Sequence, residues 1–283
     1  MPKIPLAHWV DASVSWAEHA LGPLFSVIAG VVTAAVNGLD GFLLMLPWWL
    51  VMIVAVGIGW AAAGWQKGWK LALGSAIGLL LVFNLGLWSD FLLTLSLVLI
   101  ATLLSLLVGI PLGIWSAANA RVHAAIFPIL DFMQTMPSFV YLLPAMAFFG
   151  IGVMPAVFAT VIFAMPPAIR LTDLGIRQVP GGLIEAGEAF GASRGQMLTK
   201  VQLPLALPTM MAGVNQTIML SLSMVVIASL IGAGGLGDGV NRALGQLNTG
   251  SGFEYGVSVV VLAMILDRLT ATFAKRRTPG RTA

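Results

Sequence analysis

The residues most suggestive of catalysis form the pattern G-x-S-x-G at positions 191–195, in which Ser193 could serve as the nucleophile of a hydrolase. That fold places a strand before the serine and a histidine after it. No strand-like segment precedes Ser193, and the histidines, His8, His19 and His123, all lie earlier in the chain. The pattern therefore does not indicate a hydrolase, and we expect no catalytic residue in this chain.

The sequence gives equally little support for a nucleotide site or a metal site. The pattern G-x-G-x-x-G occurs at 232–237, but it follows a long apolar segment instead of a strand, so we interpret it as an outer turn and not as a dinucleotide site. The ATP-binding pattern G-x-x-x-x-G-K-[ST] is absent from the sequence. Since cysteine is absent and the histidines are far apart in sequence, a metal site has little support. We expect no cofactor or metal in this chain.

The composition determines which elements can position these residues. Of 283 residues, 59% are hydrophobic and 9% are charged, and the mean hydropathy is +0.97. A helix that crosses a bilayer needs about 20 apolar residues, and several runs approach or exceed that length. The net charge is only +3, so nucleic-acid binding is not expected. The sequence predicts an all-α integral membrane protein that crosses the bilayer several times and contacts membrane lipids.

Seven segments are predicted to span the membrane: 43–63, 71–87, 91–115, 124–149, 155–169, 205–231 and 253–273. The earlier segment 23–39 differs, because Ser26, Gly30, Thr33 and Asn37 form one polar stripe along a helix. We therefore expect an amphipathic helix that lies in the membrane interface, with a span or half-hairpin as the alternative. Prolines at 128, 137 and 144 predict kinks in the fourth span.

The basic residues indicate the orientation, since the cytoplasmic loops of membrane proteins carry an excess of lysine and arginine. One set of alternate loops holds eleven of the 14 bases and the other set holds two, while Arg268 lies in the last predicted span. The richer set includes the tail KRRTPGR. With seven spans, the C-terminus is predicted inside and the N-terminus outside, and the segment 173–204 faces the cytoplasm.

The cytoplasmic residues between 180 and 204 fit two short helices with a break between them. Gly191 can adopt the positive φ that ends the first helix. Ser193 is expected to cap the second helix, and Gln196 three residues later completes an S-x-x-Q capping box.

The side chains of these two helices indicate a surface for a partner. Glu185 and Glu188 are expected in the early turns of the first helix, where the helix dipole favours negative charge. Six residues would give both helices an apolar side that a loop exposed to the cytosol does not need. They are Leu183, Ile184, Phe190, Met197, Leu198 and Val201.

Residues 185–204 also resemble the EAA signature of the membrane subunits of ATP-binding-cassette (ABC) importers. Glu185 and Ala186 match its first two positions, Gly187 stands where the third position has alanine, Gly191 follows four residues later, and V-x-L-P ends the motif. The resemblance implies that the two helices dock into a cytoplasmic ATPase subunit and transmit its closure. The residues expected to couple the two proteins are Glu185, Ala186, Gly187, Gly191, Ser193, Val201, Leu203 and Pro204.

Further blocks extend the resemblance: DFMQTMPSFVYLLPAMAFFGIG, FAMPPAIRLTDLGIRQVP, KVQLPLALPTMMAGVNQTIML, LSMVVIASLIGAGGLG and ILDRLT. Together they resemble the permease of the glycine betaine, proline betaine and choline importers over residues 91–270. The resemblance implies the helical bundle of a type I ABC importer permease in a bacterial inner membrane. It also implies a second copy of the permease, a separate ATPase that uses ATP, and an external solute-binding protein.

This interpretation divides the chain into four expected segments. Residues 1–40 form an N-terminal segment with the amphipathic helix, and 41–88 form two accessory spans. Residues 89–275 form the permease core of five spans with the coupling loop 173–204, and 276–283 form a basic cytoplasmic tail.

Polar residues within the predicted spans could line the path of the solute, namely Asp131, Gln134, Asn215, Gln216, Ser221 and Ser223. Asp131 and the polar residues of the sixth span could equally hydrogen-bond neighbouring helices. The residues alone also allow two other functions. One is a secondary transporter driven by an ion gradient, and the other is a membrane scaffold that anchors a cytoplasmic partner.

Overall fold

The computed structural model describes residues 6–63 and 65–276, and every regular element within those ranges is helical, which confirms the predicted all-α fold. The helices are α1 (Leu6–Met45), α2 (Trp48–Ala63), α3 (Trp65–Asn84), α4 (Trp88–Ala118), α5 (Ala120–Thr135), α6 (Leu142–Phe149), α7 (Val153–Arg177), α8 (Gly181–Ala189), α9 (Arg194–Gln196), α10 (Leu203–Ala228), α11 (Gly235–Gly245) and α12 (Thr249–Arg276). Lys3 and the part of the basic tail after Arg276 lie outside the described residues.

Helices α4, α7 and α10 form the centre of the bundle, because α7 packs against both of the others. Helix α12 packs against α10 and α11, and α1 lies against α4 and α6. Phe91, Leu92 and Met224 are among the large apolar side chains that are fully buried. The core therefore lies where the three central helices meet.

Two glycines allow the central helices to approach closely. A Cβ atom at Gly113 of α4 would lie 2.6 Å from Thr172 Cβ and 2.7 Å from the Ile169 carbonyl oxygen of α7. A Cβ atom at Gly213 of α10 would lie 3.0 Å from Leu171 Cβ, also in α7. Helices within a membrane gain little from the hydrophobic effect, so small residues that permit close van der Waals contact favour their association. Backbone proximity thus holds α7 between α4 and α10.

Helix α1 contains the segment 23–39, and both interpretations of that segment, an interfacial helix and a span, stay predictions. Its part Val14–Met45 is long and apolar enough to cross a membrane. Val32 and Val36 are buried against the bundle, where α1 contacts α4, α6 and α7. Three residues of the polar stripe line a groove between α1 and the start of α7.

The predicted fourth span is broken instead of merely kinked. A 3₁₀ turn at Ser138–Tyr141 joins α5 to α6, and the helix direction bends by 111° at the break. Pro137 precedes this turn and disfavours the helical conformation of Met136, whose ψ is 136°. Pro128 and Pro144 lie inside α5 and α6 and do not break them.

The number of spans stays a prediction, because helix length and composition give candidates only. Among the described residues, five helices are long and apolar enough to cross a bilayer, or six if the bent pair counts as one span. The apolar parts of α2 and α3, Trp48–Ile58 and Ala72–Asn84, are shorter.

The glycine-rich segment 232–237 is not the simple outer turn that was predicted. Gly232 and Gly234 adopt φ values of 83° and 78°, and α11 begins at Gly235. Leu236 is buried, and its N–H donates to Thr94 Oγ1 of α4 over 2.8 Å. The sequence did not predict α11, because glycine is a poor helix former and recurs through it.

Substitution of Gly113 tests the close contact between α4 and α7. We expect Gly113→Ala to lower the free energy of unfolding by about 1–3 kcal/mol, because the added methyl meets backbone and Cβ atoms that cannot rotate away. Thermal unfolding of the detergent-solubilised chain measures the effect. Gly57→Ala in α2 is the control, since a Cβ atom there meets nothing within 4 Å. Equal stability of the two variants would contradict the account.

Candidate coupling site

Helix α7 leads directly into the candidate site. It continues to Arg177 instead of ending near residue 169, so Asp173 lies in a helix and not in the predicted loop 173–204. The chain turns at Gln178, Val179 and Pro180, and α8 begins at the next residue. Because Val179 is buried, the turn is anchored to the bundle. The segment that projects from the bundle is therefore shorter than predicted.

Helix α8 ends in a Schellman motif, with the predicted break at Gly191 confirmed. Gly191 has a φ of 75°, and its N–H donates to the Glu188 carbonyl oxygen over 2.9 Å. The Ala192 N–H donates to the Gly187 carbonyl oxygen over 3.0 Å, which completes the motif. A Cβ atom at Gly191 would meet nothing within 4 Å. Backbone conformation alone, and not lack of space, makes glycine the preferred residue here.

Ser193 begins the second short helix through the predicted capping box. Its Oγ accepts a hydrogen bond from the Gln196 N–H at 3.3 Å, and the Gln196 side-chain oxygen accepts one from the Ser193 N–H at 2.9 Å. A π-helical turn at Met197–Gln202 then connects this helix to α10, in which Pro204 is the second residue. Such turns are rare in proteins, and many of those that occur lie at functional sites. The sequence analysis did not identify the π turn.

The outer surface of this loop combines apolar and acidic side chains. Phe190 is 92% exposed and Leu183 is 45% exposed. Glu185 and Ala186 are exposed beside them, and no residue of α8 is buried. Exposed apolar side chains next to a carboxylate form a surface that a partner protein can cover.

The structure shows where the two acids of α8 and the last residues of the motif lie. Because α8 begins at Gly181, its first turn holds no acid: Glu185 lies in the second turn, and the expectation of an early turn was wrong for Glu188. Glu188 lies in the last turn instead. Val201 and Leu203 are half-buried.

Gly187, where the motif departs from alanine, contacts the π turn that follows the second short helix. Met197 is buried, and a Cβ atom at Gly187 would lie 2.4 Å from Met197 Cε. Glycine inside a helix is less favourable than alanine by about 0.5–1 kcal/mol. The contact with Met197 offsets this loss, because it packs α8 against the π turn.

Asn215, a candidate for the solute path, connects α10 to α12. Its Nδ2 donates to Asp267 Oδ1 over 3.1 Å, and its Oδ1 accepts a hydrogen bond from the Thr270 hydroxyl. Of the two roles that the sequence left open, the structure shows the interhelical one. A role in the path stays a prediction.

The other candidates on α10 lie in different environments. Ser221 is buried, and its Oγ has no hydrogen-bond partner within the described residues. Gln216 and Ser223 are exposed, as is Gln134 on α5. Burial thus separates Ser221 from the exposed candidates Gln134, Gln216 and Ser223.

Asp131 pairs with a residue that the sequence analysis did not connect to it. Its carboxylate, 68% exposed, accepts a hydrogen bond from Arg170 Nη2 of α7. The Arg170 guanidinium carbon also lies 5.5 Å from the centroid of the Phe127 ring. The pair joins α5 to α7, which is the structural alternative for Asp131. Since the partners are 39 residues apart, no local pattern could reveal the contact.

A bundle of apolar helices with a projecting helical loop between α7 and α10 has the architecture of the membrane subunit of an importer. Residues 109–279 match the protein family described as the binding-protein-dependent transport system inner membrane component. The chain belongs to this family of multi-pass inner-membrane transport proteins, whose members work in general with an ATPase and a binding protein.

Named relatives resemble the chain over nearly all of its length. It is 50% identical to the glycine betaine/carnitine transport permease protein GbuB of Listeria monocytogenes, over 98% of each chain. It is also 50% identical to the glycine betaine transport system permease protein OpuAB of Bacillus subtilis, over 99% of this chain and 98% of the relative. Identity to the glycine betaine/proline betaine permease ProW of Escherichia coli is 49%, over 94% and 74%. These relatives are named as transport permeases and not as enzymes.

A solved structure supports the fold independently. The chain superimposes on a subunit of an inward-facing MetNI methionine ABC transporter with a TM-score of 0.61, over 65% of this chain and 93% of that subunit. Since the two are 23% identical, the likeness concerns the fold alone. It confirms the predicted helical bundle of a type I importer permease.

Gly191 provides a direct test of the coupling loop. Gly191→Val has room for its side chain, but a β-branched residue is disfavoured at a φ of 75° by about 1–3 kcal/mol. We expect normal membrane levels and a loss of ATP-dependent uptake of about tenfold or more, since the two short helices would reorient. Gly191→Asn is the matched control, because asparagine tolerates this conformation and occupies the same open space. Full uptake by Gly191→Val at equal membrane level would show that the loop does not couple.

Proposed function

We propose that this chain is the permease subunit of an ATP-driven importer of quaternary-ammonium solutes such as glycine betaine or choline. The observation that carries the proposal is its 50% identity, over 98% of the chain or more, to permeases that are named for glycine betaine. Proteins this similar over their whole length share one fold and, with it, the positions from which a path is built. The projecting loop provides the surface that coupling to an ATPase requires.

The ATPase would dock on α8 and the second short helix. Phe190 and Leu183 offer apolar area, and the exposed Glu185 offers a carboxylate for a basic partner residue. Energy for transport would then come from ATP held by the ATPase, because the sequence lacks a phosphate-binding loop. The permease itself would need no cofactor.

Two copies of the chain would form the solute path. Helix α5 buries only Leu130 within one chain, although Asp131 and Gln134 lie on it. Gln216 and Ser223 are likewise exposed on α10. Polar side chains on membrane helices normally face protein or water and not lipid, which supports a second subunit and a path at this surface.

The coupling loop and the C-terminus would face the cytoplasm. Arg177, Arg194 and Lys200 flank or lie within the loop, and cytoplasmic loops are rich in such bases. The solute-binding protein would then meet the opposite face of the bundle. If α1 crosses the membrane as well, the N-terminus lies on the cytoplasmic side, opposite to the side that seven spans predict.

Reconstitution into proteoliposomes tests the function. With the ATPase and the binding protein present, we expect uptake of radiolabelled glycine betaine that requires ATP and is unaffected by ionophores that abolish ion gradients. Unlabelled choline, carnitine and proline betaine as competitors define the solute range. The purified chain alone should hydrolyse no ATP.

The same assay separates the two other functions. A secondary transporter would take up solute without ATP and would stop when ionophores are added. A scaffold would bind a cytoplasmic partner and take up nothing. Either result would contradict the proposed function.

A further inference from the structure

Asp173 is the one charged residue that is buried among the described side chains, with 2% of its surface exposed. It lies in the last two turns of α7, outside the loop that carries the motif. A buried carboxylate is unfavourable unless hydrogen bonds and an opposite charge compensate for the lost water. Its neighbours therefore indicate what the residue does.

Three side chains converge on a single oxygen of this carboxylate. Ser116 Oγ donates to Asp173 Oδ1 over 2.8 Å, and Arg177 Nε donates to the same atom over 3.1 Å. His123 Nδ1 lies 3.2 Å from it, a hydrogen bond when that nitrogen carries the proton. Charge is balanced within the cluster, because the arginine faces the carboxylate directly.

The cluster joins three separate elements at one point. Ser116 lies in the last turn of α4, His123 in the first turn of α5, and both acid and arginine in the last two turns of α7. Arg177 Nη2 also donates to the Ser116 carbonyl oxygen over 2.8 Å, at the helix end where positive charge is favourable. Movement of any one of these helix ends would break several contacts at once.

The same cluster stands at the entrance to the coupling loop. Arg177 is the last residue of α7, and α8 begins four residues later at Gly181. The intervening turn is not loose, because Gln178 N–H donates to Leu174 O over 3.0 Å and Val179 is buried. A displacement of α8 is therefore carried to the end of α7 and to the cluster.

We propose that Asp173 is a positioning residue for transport, whose buried carboxylate holds the ends of α4, α5 and α7 together so that movement of the coupling loop reaches the membrane helices. This inference rests on the proposed function. Helix α5 depends on such a link, because it buries only Leu130 against the rest of the chain. Through His123 and the Arg170–Asp131 pair, α5 would follow α7 instead of moving independently.

Packing alone would not require a buried carboxylate paired with an arginine at this position. An apolar side chain could fill the same space without the desolvation of a carboxylate, whereas a buried charge that three side chains contact specifies one arrangement of its neighbours. Asp238 and Arg242 in α11 form an ion pair with the same four-residue spacing. In that pair Arg242 is exposed and Asp238 half-buried, and both lie within one helix and contact no other helix end through the pair, so it provides a matched control.

The test uses the complete importer, with the ATPase and the binding protein, in proteoliposomes. Asp173→Asn, Ser116→Ala and the control Asp238→Asn are compared for membrane level, ATPase association and glycine betaine molecules taken up per ATP hydrolysed. We expect all three to assemble. Uptake per ATP should fall about tenfold in Asp173→Asn, since allosteric couplings are of that size. It should fall about threefold in Ser116→Ala, which loses the contacts of Ser116 Oγ with Asp173 and His123 but keeps the ion pair, and should stay within about twofold in Asp238→Asn.

The wild-type complex distinguishes a failure of the proposed function from a failure of the positioning role of Asp173. If it shows no ATP-driven uptake, the proposed function fails together with this inference. If it transports, unchanged uptake per ATP in assembled Asp173→Asn and Ser116→Ala overturns the positioning role alone. Should Asp173→Asn not assemble, Ser116→Ala decides the question, because it leaves the ion pair in place. Should neither assemble, Asp173 serves folding and the inference is wrong.

Discussion

The close contact of α7 with α4 and α10 is the interaction on which the rest of the structure depends. In a membrane, helices are held together by shape and by hydrogen bonds more than by the hydrophobic effect, so a contact without room for a methyl group fixes their relative positions. Gly113 and Gly213 provide it on the two sides of α7. Because α7 and α10 also bound the coupling loop, the same contact determines where that loop leaves the bundle.

The loop itself is shaped by local chemistry of a different kind. Gly191 ends α8 in a left-handed conformation, and the Ser193 capping box starts the next helix. Met197 packs onto Gly187, which joins the two short helices into one unit. A rigid unit with Phe190 exposed at its outer surface can transmit the displacement of a bound partner to the bundle. A flexible loop would change its own conformation instead.

Local signals in the sequence predicted this loop well, because a positive φ at Gly191 and a capping box depend on a few consecutive residues. Contacts between distant residues could not be predicted in the same way. The pairing of Asp131 with Arg170 and the bond from Asn215 to Asp267 each join positions more than 35 residues apart. The placement of the segment 23–39 meets the same limit, since a polar stripe that lines a protein groove has the same periodicity as one that faces headgroups.

The most direct measurement of the central claim, that the projecting loop receives the ATPase, is chemical cross-linking from Phe190. The chain has no cysteine, so Phe190→Cys places one reactive thiol on the loop. Leu247→Cys, 90% exposed between α11 and α12 and beyond the far end of α10, is the control. With a short thiol-to-amine reagent and the assembled complex, the account predicts a cross-link to the ATPase from position 190 and none from position 247. A cross-link from position 247 alone would contradict it.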